Sequence, residues 1–311
     1  MSVPPLKPIP LNSRQPFLFL KYGRIDVQDN AFVLTDEKGI RLLVPVGAVA
    51  CLMLEPGTTI THAAIVLAAK VGTLLYWVGA DGVRLYSAGL PGGTRSDKLI
   101  FQTKILLDES ARQRVISKMF EIRFGKPPPK NRSVEQLRGI EGARVRSIYA
   151  QLAEKYEVPW NGRNYNTANW GAADPINRAI SCATSCLYGI TEAAVLTSGY
   201  SPAIGFLHSG KPLAFVYDIA DLIKFETVVP SAFEVVGKSK GEKFEERAVR
   251  IACREAFRRN KTIDKLFGLI TEVLSASKLA MPEDIGQDSI QYNQLKEGAI
   301  IYQRDISEAL K

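Results

Sequence analysis

Histidine is nearly missing from these 311 residues: there are two, His62 and His208. That excludes a metal centre built from several imidazoles, and it makes each histidine worth placing individually. Cysteine is scarce and wrongly spaced for a framework. Cys51, Cys182, Cys186 and Cys253 contain no C-x-x-C pair, and Cys182 with Cys186 at i, i+4 reads as two small apolar residues packed in a helix. Reduced thiols, and hence a cytoplasmic protein, are expected. No apolar run is long enough for a bilayer. The longest, AAIVLAAKVGTLLYWVGA, is broken by Lys70, Gly72 and Gly79 and reads as a helix followed by a strand, so no membrane partner is expected. The N-terminal MSVPPLKPIPLNSRQ is Pro-rich and lacks the apolar core of a secretory signal. Internal repeats and low-complexity tracts are absent as well.

What is abundant is basic charge and core. Lys and Arg outnumber Asp and Glu by 40 to 32, a formal charge of +8, and 46% of residues are apolar. That length and apolar content suit about two domains, and the excess charge favours a polyanionic partner such as nucleic acid. The cations cluster. Arg112, Arg114, Lys118 and Arg123 punctuate one helical stretch; Lys130 and Arg132 follow a Pro run; Arg138, Arg144 and Arg146 surround Glu141; Arg254, Arg258, Arg259 and Lys261 recur late. Each cluster is either a DNA-facing surface or a solvated helix face.

The pattern changes near residue 90. Before it, FLFLKYGRIDV, AFVLTD, IRLLVPV, VACLMLE, TLLYWVG and VRLYSAG are short strand-like runs separated by turns, with one short helix at THAAIVLAAK. His62, near the start of that helix, reads as a capping or packing residue. After residue 90 come long helical patterns, interrupted by Pro127–Pro129, NGRNYNTANWGAAD and GYSP; Asp174 followed by Pro175 signals the start of a long helix. An α+β protein is predicted: a β-sandwich-like domain over 1–90, an α-helical catalytic domain over 91–277, and a tail over 278–311, where the periodicity is lost.

Within the helical part, SVEQLRGIEGARVRSIYAQLAEKY places Glu141 where a hydrophobe belongs. At about 100° per residue, Val134, Leu137, Val145, Ile148 and Leu152 fall within roughly 40° of it. An inward carboxylate needs a cationic partner. Arg138 or Arg144 could supply one as a structural ion pair; a metal is the other candidate. A second segment, GFLHSGKPLAFVYDIADLIKF, favours the metal. His208 precedes a tight SGKP turn, Pro212 is suited to the first position of a new helix, and Asp218 and Asp221 share that helix's apolar face. Carboxylates at i and i+3 repel in such a setting, and a divalent cation would turn the repulsion into coordination. One imidazole with several carboxylates suits Mg²⁺ or Mn²⁺ better than structural zinc.

LEPGTTITHAAIVLAAKVGTLLYWVG, QLRGIEGARVR, CATSCLYGITEA and GFLHSGKPLAFVYDIADLIKF closely resemble the CRISPR-associated adaptation integrases of the Cas-one family, type I-E branch, from about Leu6 to Leu274. The resemblance implies a β-sandwich domain, a helical domain, a homodimer, and a hetero-hexamer with the small Cas-two partner. It implies metal-dependent transesterification joining DNA spacers to a repeat array. It makes Glu141, His208 and Asp221 the metal ligands and Asp218 an auxiliary catalytic acid. It also implies DNA contacts: Tyr22 as the wedge at the duplex end, Tyr165, Trp170, Tyr188, Lys211 and Tyr217 around the protospacer-adjacent motif, Arg84 beside the site, and Gln287 in the tail. Arg112, Arg132 and Arg138 are expected to meet phosphates. A metal-dependent nuclease of branched DNA would use the same groups with water as acceptor, whereas a DNA scaffold would need only the arginines. Ser209 has no orienting partner for nucleophilic catalysis.

Overall fold

The computed structural model describes residues 15–44, 49–80, 85–89, 96–129, 132, 134–164, 174–239 and 246–282. Its chain divides into two compact units: one runs to Val78 and resumes at Tyr86, and the other holds Gly79–Leu85 and Ser96–Met281.

The first unit pairs two four-stranded sheets. Strands β1 (Gln15–Leu20), β5 (Val49–Leu54), β7 (Leu74–Val78) and β8 (Leu85–Gly89) form one, in the order β1-β5-β7-β8. Strands β4 (Arg41–Val44), β3 (Ala31–Thr35), β2 (Gly23–Gln28) and β6 (Thr58–Ile60) form the other, in the order β4-β3-β2-β6. In the first sheet β5 lies parallel to both β1 and β7, with Leu20 opposite Leu54 and Cys51 opposite Leu74. A parallel strand covered on both faces needs hydrophobes throughout, and VACLML of β5 is buried at every position. The second sheet starts from a tight hairpin. Asp29 and Asn30, both with positive φ (51° and 57°), connect Gln28 to Ala31, the conformation whose twist matches paired strands. Side chains from both sheets, including Leu20, Ile25, Phe32 and Leu52, share one core with Ala64 and Ala68 of helix α1 (His62–Val71).

Three details differ from the sequence reading. The run FLFLKYGRIDV is two strands rather than one, parted at Lys21 and Tyr22, and β6 was not foreseen because three residues carry too little alternation to register. His62 does not cap α1. Thr61 does, accepting from the Ala64 amide at 3.3 Å and donating to Asp26 Oδ1 at 3.1 Å, while His62 is exposed.

The second unit is helical: α2 (Asp97–Leu107), α3 (Glu109–Phe124), α4 (Val134–Lys155), α5 (Pro175–Thr197), α6 (Ala214–Ile223), α7 (Val228–Lys238), α8 (Glu246–Arg259) and α9 (Thr262–Ser275). The basic stretch Arg112, Arg114, Lys118 and Arg123 falls on one helix, α3, as predicted, and Asp108, which ends α2, caps it by accepting from the Ala111 amide at 3.0 Å. Helix α5 is central. It is long and apolar enough to cross a bilayer by composition, yet it packs against α6, α7, α8 and α9, which bury Ile180, Ala183, Cys186, Ile190 and Ala194. The Ala- and Ser-rich sequence of α5 lets those neighbours approach closely. All four cysteines are buried and unbridged. The start of α5 is fixed as expected: Asp174 Oδ1 accepts from the Asn177 amide at 2.8 Å, with Pro175 in the first turn. Segment 283–311, most of the expected tail, lies outside the described residues.

Asp174→Ala should therefore cost about 1 kcal/mol, lowering the melting temperature by a few degrees in a calorimetric scan. Glu192, also on α5, behaves oppositely. Burial pushes its carboxyl above the ordinary 4.5. The folded state then bears a charge penalty that grows as pH rises from 4.5 through the raised value and is complete above it. Glu192→Gln should raise the melting temperature at pH 8 and leave it unchanged well below 4.5.

Candidate active site

The chain between α5 and α6 would be a liability without side chains to hold it, because its amides and carbonyls fall outside helix and sheet. Three buried or half-buried polar residues supply the partners. Gln102 of α2, fully buried, accepts from the Ser201 amide at 2.9 Å and donates to the carbonyls of Ser201 and Ile204 at 3.0 and 2.7 Å. Arg112 of α3 donates through Nε and Nη2 to the Phe206 carbonyl at 3.2 and 3.0 Å. Asp218 of α6 takes the next three amides: Phe206 and Leu207 donate to Oδ2 at 2.6 and 3.1 Å, and His208 donates to Oδ1 at 3.0 Å. Gly205 completes the turn, since a Cβ there would meet the His208 carbonyl oxygen at 2.5 Å and Ala214 at under 3 Å.

Asp218 also sets the imidazole. Its Oδ1 lies 2.8 Å from His208 Nδ1. A carboxylate accepting backbone donors can only accept, so Nδ1 carries the proton and Nε2 presents its lone pair away from Asp218. This corrects the expectation that Asp218 and Asp221 repel one another until a cation joins them. The Asp218 charge is dispersed over three amides and a ring N–H, leaving no oxygen to spare. Helix α6 also begins at Ala214, not Pro212, because Ala214 N donates to the Lys211 carbonyl in a turn at 3.2 Å.

A cavity of ≈ 130 Å³ opens beside this loop, lined by Met119, Phe120 and Arg123 of α3, Glu141 of α4, Leu207 and His208, and Asp218, Asp221 and Leu222 of α6. The sequence brought Glu141 inward on the same face as Leu137, which is buried, although its carboxylate keeps 18% of its exposure. Among the described residues its partner is not Arg144. The Arg123 guanidinium pairs with Glu141 Oε1 and lies 3.8 Å from Asp221 Oδ2, and Lys224 Nζ holds Asp221 Oδ1 at 2.9 Å. Arg144 instead stacks over Phe124, 4.7 Å from the ring centroid. Ile116, Met119 and Phe120 are buried on α3, and Arg123 continues that stripe at helical spacing, although the sequence reading placed it only in a basic cluster.

Among the described residues, no three His, Cys, Asp or Glu side chains stand ready-arranged as a metal cage. The donor chemistry nevertheless fits: two carboxylates and an oriented imidazole Nε2 suit Mg²⁺ or Mn²⁺. Arg123 Nε, buried and without an acceptor, is unsatisfied where it stands. Glu141, His208 and Asp221 are thus the residues that would hold the ion.

The expected DNA contacts are distributed unevenly. Tyr217 lies edge-on to Tyr188 at 4.8 Å and 5.8 Å from the His208 ring, with Lys211 Nζ 5.8 Å from its centroid, so Tyr217 links Tyr188 and Lys211 to His208. Burial pushes the Tyr188 phenol well above its usual range. Arg132 is exposed. Arg112, expected to meet phosphate, spends its Nε and Nη2 on the Phe206 carbonyl. Its neighbours are similarly engaged: Arg114 donates to the Ser277 carbonyl at 2.7 Å, and Lys118 meets Glu272 at 2.9 Å. In the first unit Tyr22 is 58% exposed at a positive φ of 51°, its ring against Gly57, where a Cβ would stand 2.6 Å from Cδ1. A bulky residue held in that region is strained, the kind of position found where a side chain is displayed for contact. Arg84, Tyr165, Trp170 and Gln287 lie outside the described residues, as does the side chain of Arg138.

Residues 124–263, which include Glu141, His208, Asp218 and Asp221, match the family model described as CRISPR associated protein Cas1. The chain is 61% identical over 283 residues to the CRISPR-associated endonuclease Cas1 of Escherichia coli (strain K12), covering 90% of this chain and 92% of that protein. It belongs to the Cas1 family. The Cas1 of Geobacter sulfurreducens is 53% identical over 281 residues, covering 90% of this chain and 91% of its own. A crystal structure of a TtCas1–DNA complex aligns with a TM-score of 0.76 and 37% identity, over 86% of this chain and 99% of that one. The two-sheet unit followed by a helical unit is therefore the Cas1 arrangement of elements.

Asp218→Asn tests the role of this carboxylate in Cas1 folding. One amide N–H would then face backbone donors, costing about 1–3 kcal/mol and freeing the imidazole tautomer. A lowered melting temperature together with a changed His208 ring ¹⁵N spectrum is expected.

Proposed function

We propose that the protein is a metal-dependent DNA integrase and endonuclease of CRISPR adaptation, which joins protospacer 3′-hydroxyl ends to the CRISPR repeat by transesterification. The observation that carries this reading is the convergence of Glu141, His208 and Asp221, from three separate segments, on one small cavity. Relatives named as CRISPR-associated endonucleases and a neighbour solved with DNA support it.

In the proposed reaction, the 3′-hydroxyl oxygen forms a new bond to phosphorus as the repeat's own P–O3′ bond breaks, and the leaving strand takes up a proton. Mg²⁺ or Mn²⁺ held by Glu141, His208 and Asp221 would supply Lewis-acid stabilisation of charge on the phosphate oxygens. The chain's part is to keep the donors in place. Asp218 fixes the His208 tautomer, Lys224 restrains Asp221, and Met119, Phe120, Leu207 and Leu222 shield the cavity from bulk water. His208, with 35% of its side chain accessible, is the donor that DNA can reach. Lys211 and Arg132, both exposed, are suited to phosphates, and the Tyr22 ring offers a base-stacking surface of about 1–3 kcal/mol. The reading includes self-association and the small Cas-two partner. The edge strand β4, with Leu42 and Leu43 exposed, offers apolar surface for such a contact.

Strand transfer of a short duplex into a supercoiled repeat plasmid tests the proposal. Activity should require Mg²⁺ or Mn²⁺ and stop in EDTA. Glu141→Ala should lower it by about a hundredfold to a thousandfold while gel-shift affinity for DNA persists. Full activity in EDTA or in the Glu141 variant would overturn the site, and hydrolysed ends without joined product would favour the branched-DNA nuclease.

A further inference from the structure

The cavity is electrically balanced by the chain itself. Two carboxylates, Glu141 and Asp221, meet two cations, Arg123 and Lys224. Asp218 adds no free charge, being spent on amides and His208. An entering divalent ion would therefore meet neutralised ligands and a resident guanidinium. The two cations are not equivalent. Lys224 is three residues from Asp221 on the same helix end and, in this cluster, reaches only that carboxylate. Arg123 comes from α3, is only 7% exposed, and reaches both carboxylates across the cavity. Yet Arg123 is incompletely bound. Its Nε is buried without an acceptor, and its guanidinium rests over the Phe124 and Phe225 rings at 5.6 and 5.8 Å, contacts that tolerate sliding.

We infer that Arg123 is a resident counter-ion, which holds Glu141 and Asp221 together in the metal-free protein and competes with the divalent cation for them. The inference rests on the metal reading above and adds a positioning residue outside the ligand set. Metal entry requires the guanidinium to leave its carboxylates, so the affinity of the site for metal is set by a residue that never ligates it. A phosphate diester, an acceptor for guanidinium forks, is the group to which a displaced Arg123 would turn.

Mn²⁺ titrated calorimetrically into the full-length, DNA-free protein reads the competition without reference to catalysis. Arg123→Met should tighten Mn²⁺ binding by about tenfold. Without metal the same variant should melt several degrees lower, because two carboxylates are left facing each other, and Mn²⁺ should restore that loss. Arg123→Lys, which keeps the charge, should bind Mn²⁺ within a few-fold of the wild type. A folded Arg123→Met protein that binds Mn²⁺ no tighter than wild type overturns the inference. Should that variant fail to fold, the wild type supplies its own reading: phenylglyoxal modification of Arg123, followed by peptide mass spectrometry, should rise severalfold when Mn²⁺ is added. Unchanged protection overturns it equally. Failure of the metal reading looks different, with no saturable Mn²⁺ binding to wild type or either variant, and takes this inference down with it.

Discussion

The Asp218 carboxylate does for one stretch of backbone what a neighbouring strand would do in a sheet: it accepts three consecutive amides, Phe206 to His208. Removed from water, those amides would each cost free energy if unmade, and the carboxylate would cost far more if left bare. Each therefore requires the other. The path of the chain from α5 to α6 follows from that mutual need, with Gln102 and Arg112 taking the carbonyls of Ser201, Ile204 and Phe206. The orientation of His208, and hence the chemistry open to the cavity, is a by-product of satisfying the backbone.

The same economy applies to basic charge. The net charge of +8 suggests a broad cationic surface, yet much of α3's contribution is consumed internally. Arg112 ties down Phe206, Arg114 ties down Ser277, Lys118 meets Glu272, and Arg123 enters the cavity. A guanidinium that donates to a buried carbonyl satisfies an acceptor that nothing else reaches, and it is less free to meet a phosphate. Charge counted along the sequence thus overstates the cationic surface that the protein presents, whereas Arg132 and Lys211 are exposed.

The fold was legible wherever a period or a stop signal was strong. The long α5 with its Asp174-Pro175 start, the fully apolar β5 and the inward Glu141 of α4 could all be read from spacing. Short or conformationally unusual pieces could not. β6 has three residues, and the break at Tyr22 depends on a positive φ that no residue preference announces for tyrosine. In the site, residue types pointed to the right side chains but not to their partners. Asp218 and Asp221 look alike on a helical wheel, and only the returning loop separates an oxygen pair saturated by amides from one facing cations. Arg123 was hidden differently. It was counted among surface cations because helix wheels show which face a residue occupies, not which helix that face meets.

The parallel pairing of β1 with β5 has a consequence for how the chain acquires its structure in time. Leu20 finds its partner in Leu54, so β1, the first of the described strands to leave a ribosome, has nothing to pair with until four further strands, β2 to β5, have been made. The β2–β3 hairpin, closed by Asp29 and Asn30, needs no such wait and can form within microseconds of its synthesis. At a translation rate of about 5–20 residues per second, β1 spends seconds as an unpaired apolar segment. Non-local parallel closure of this kind is the slow step expected for the first unit, and slowing or pausing synthesis between β3 and β5 would lengthen the exposure of Phe17 and Leu20 to chaperones or to neighbouring chains.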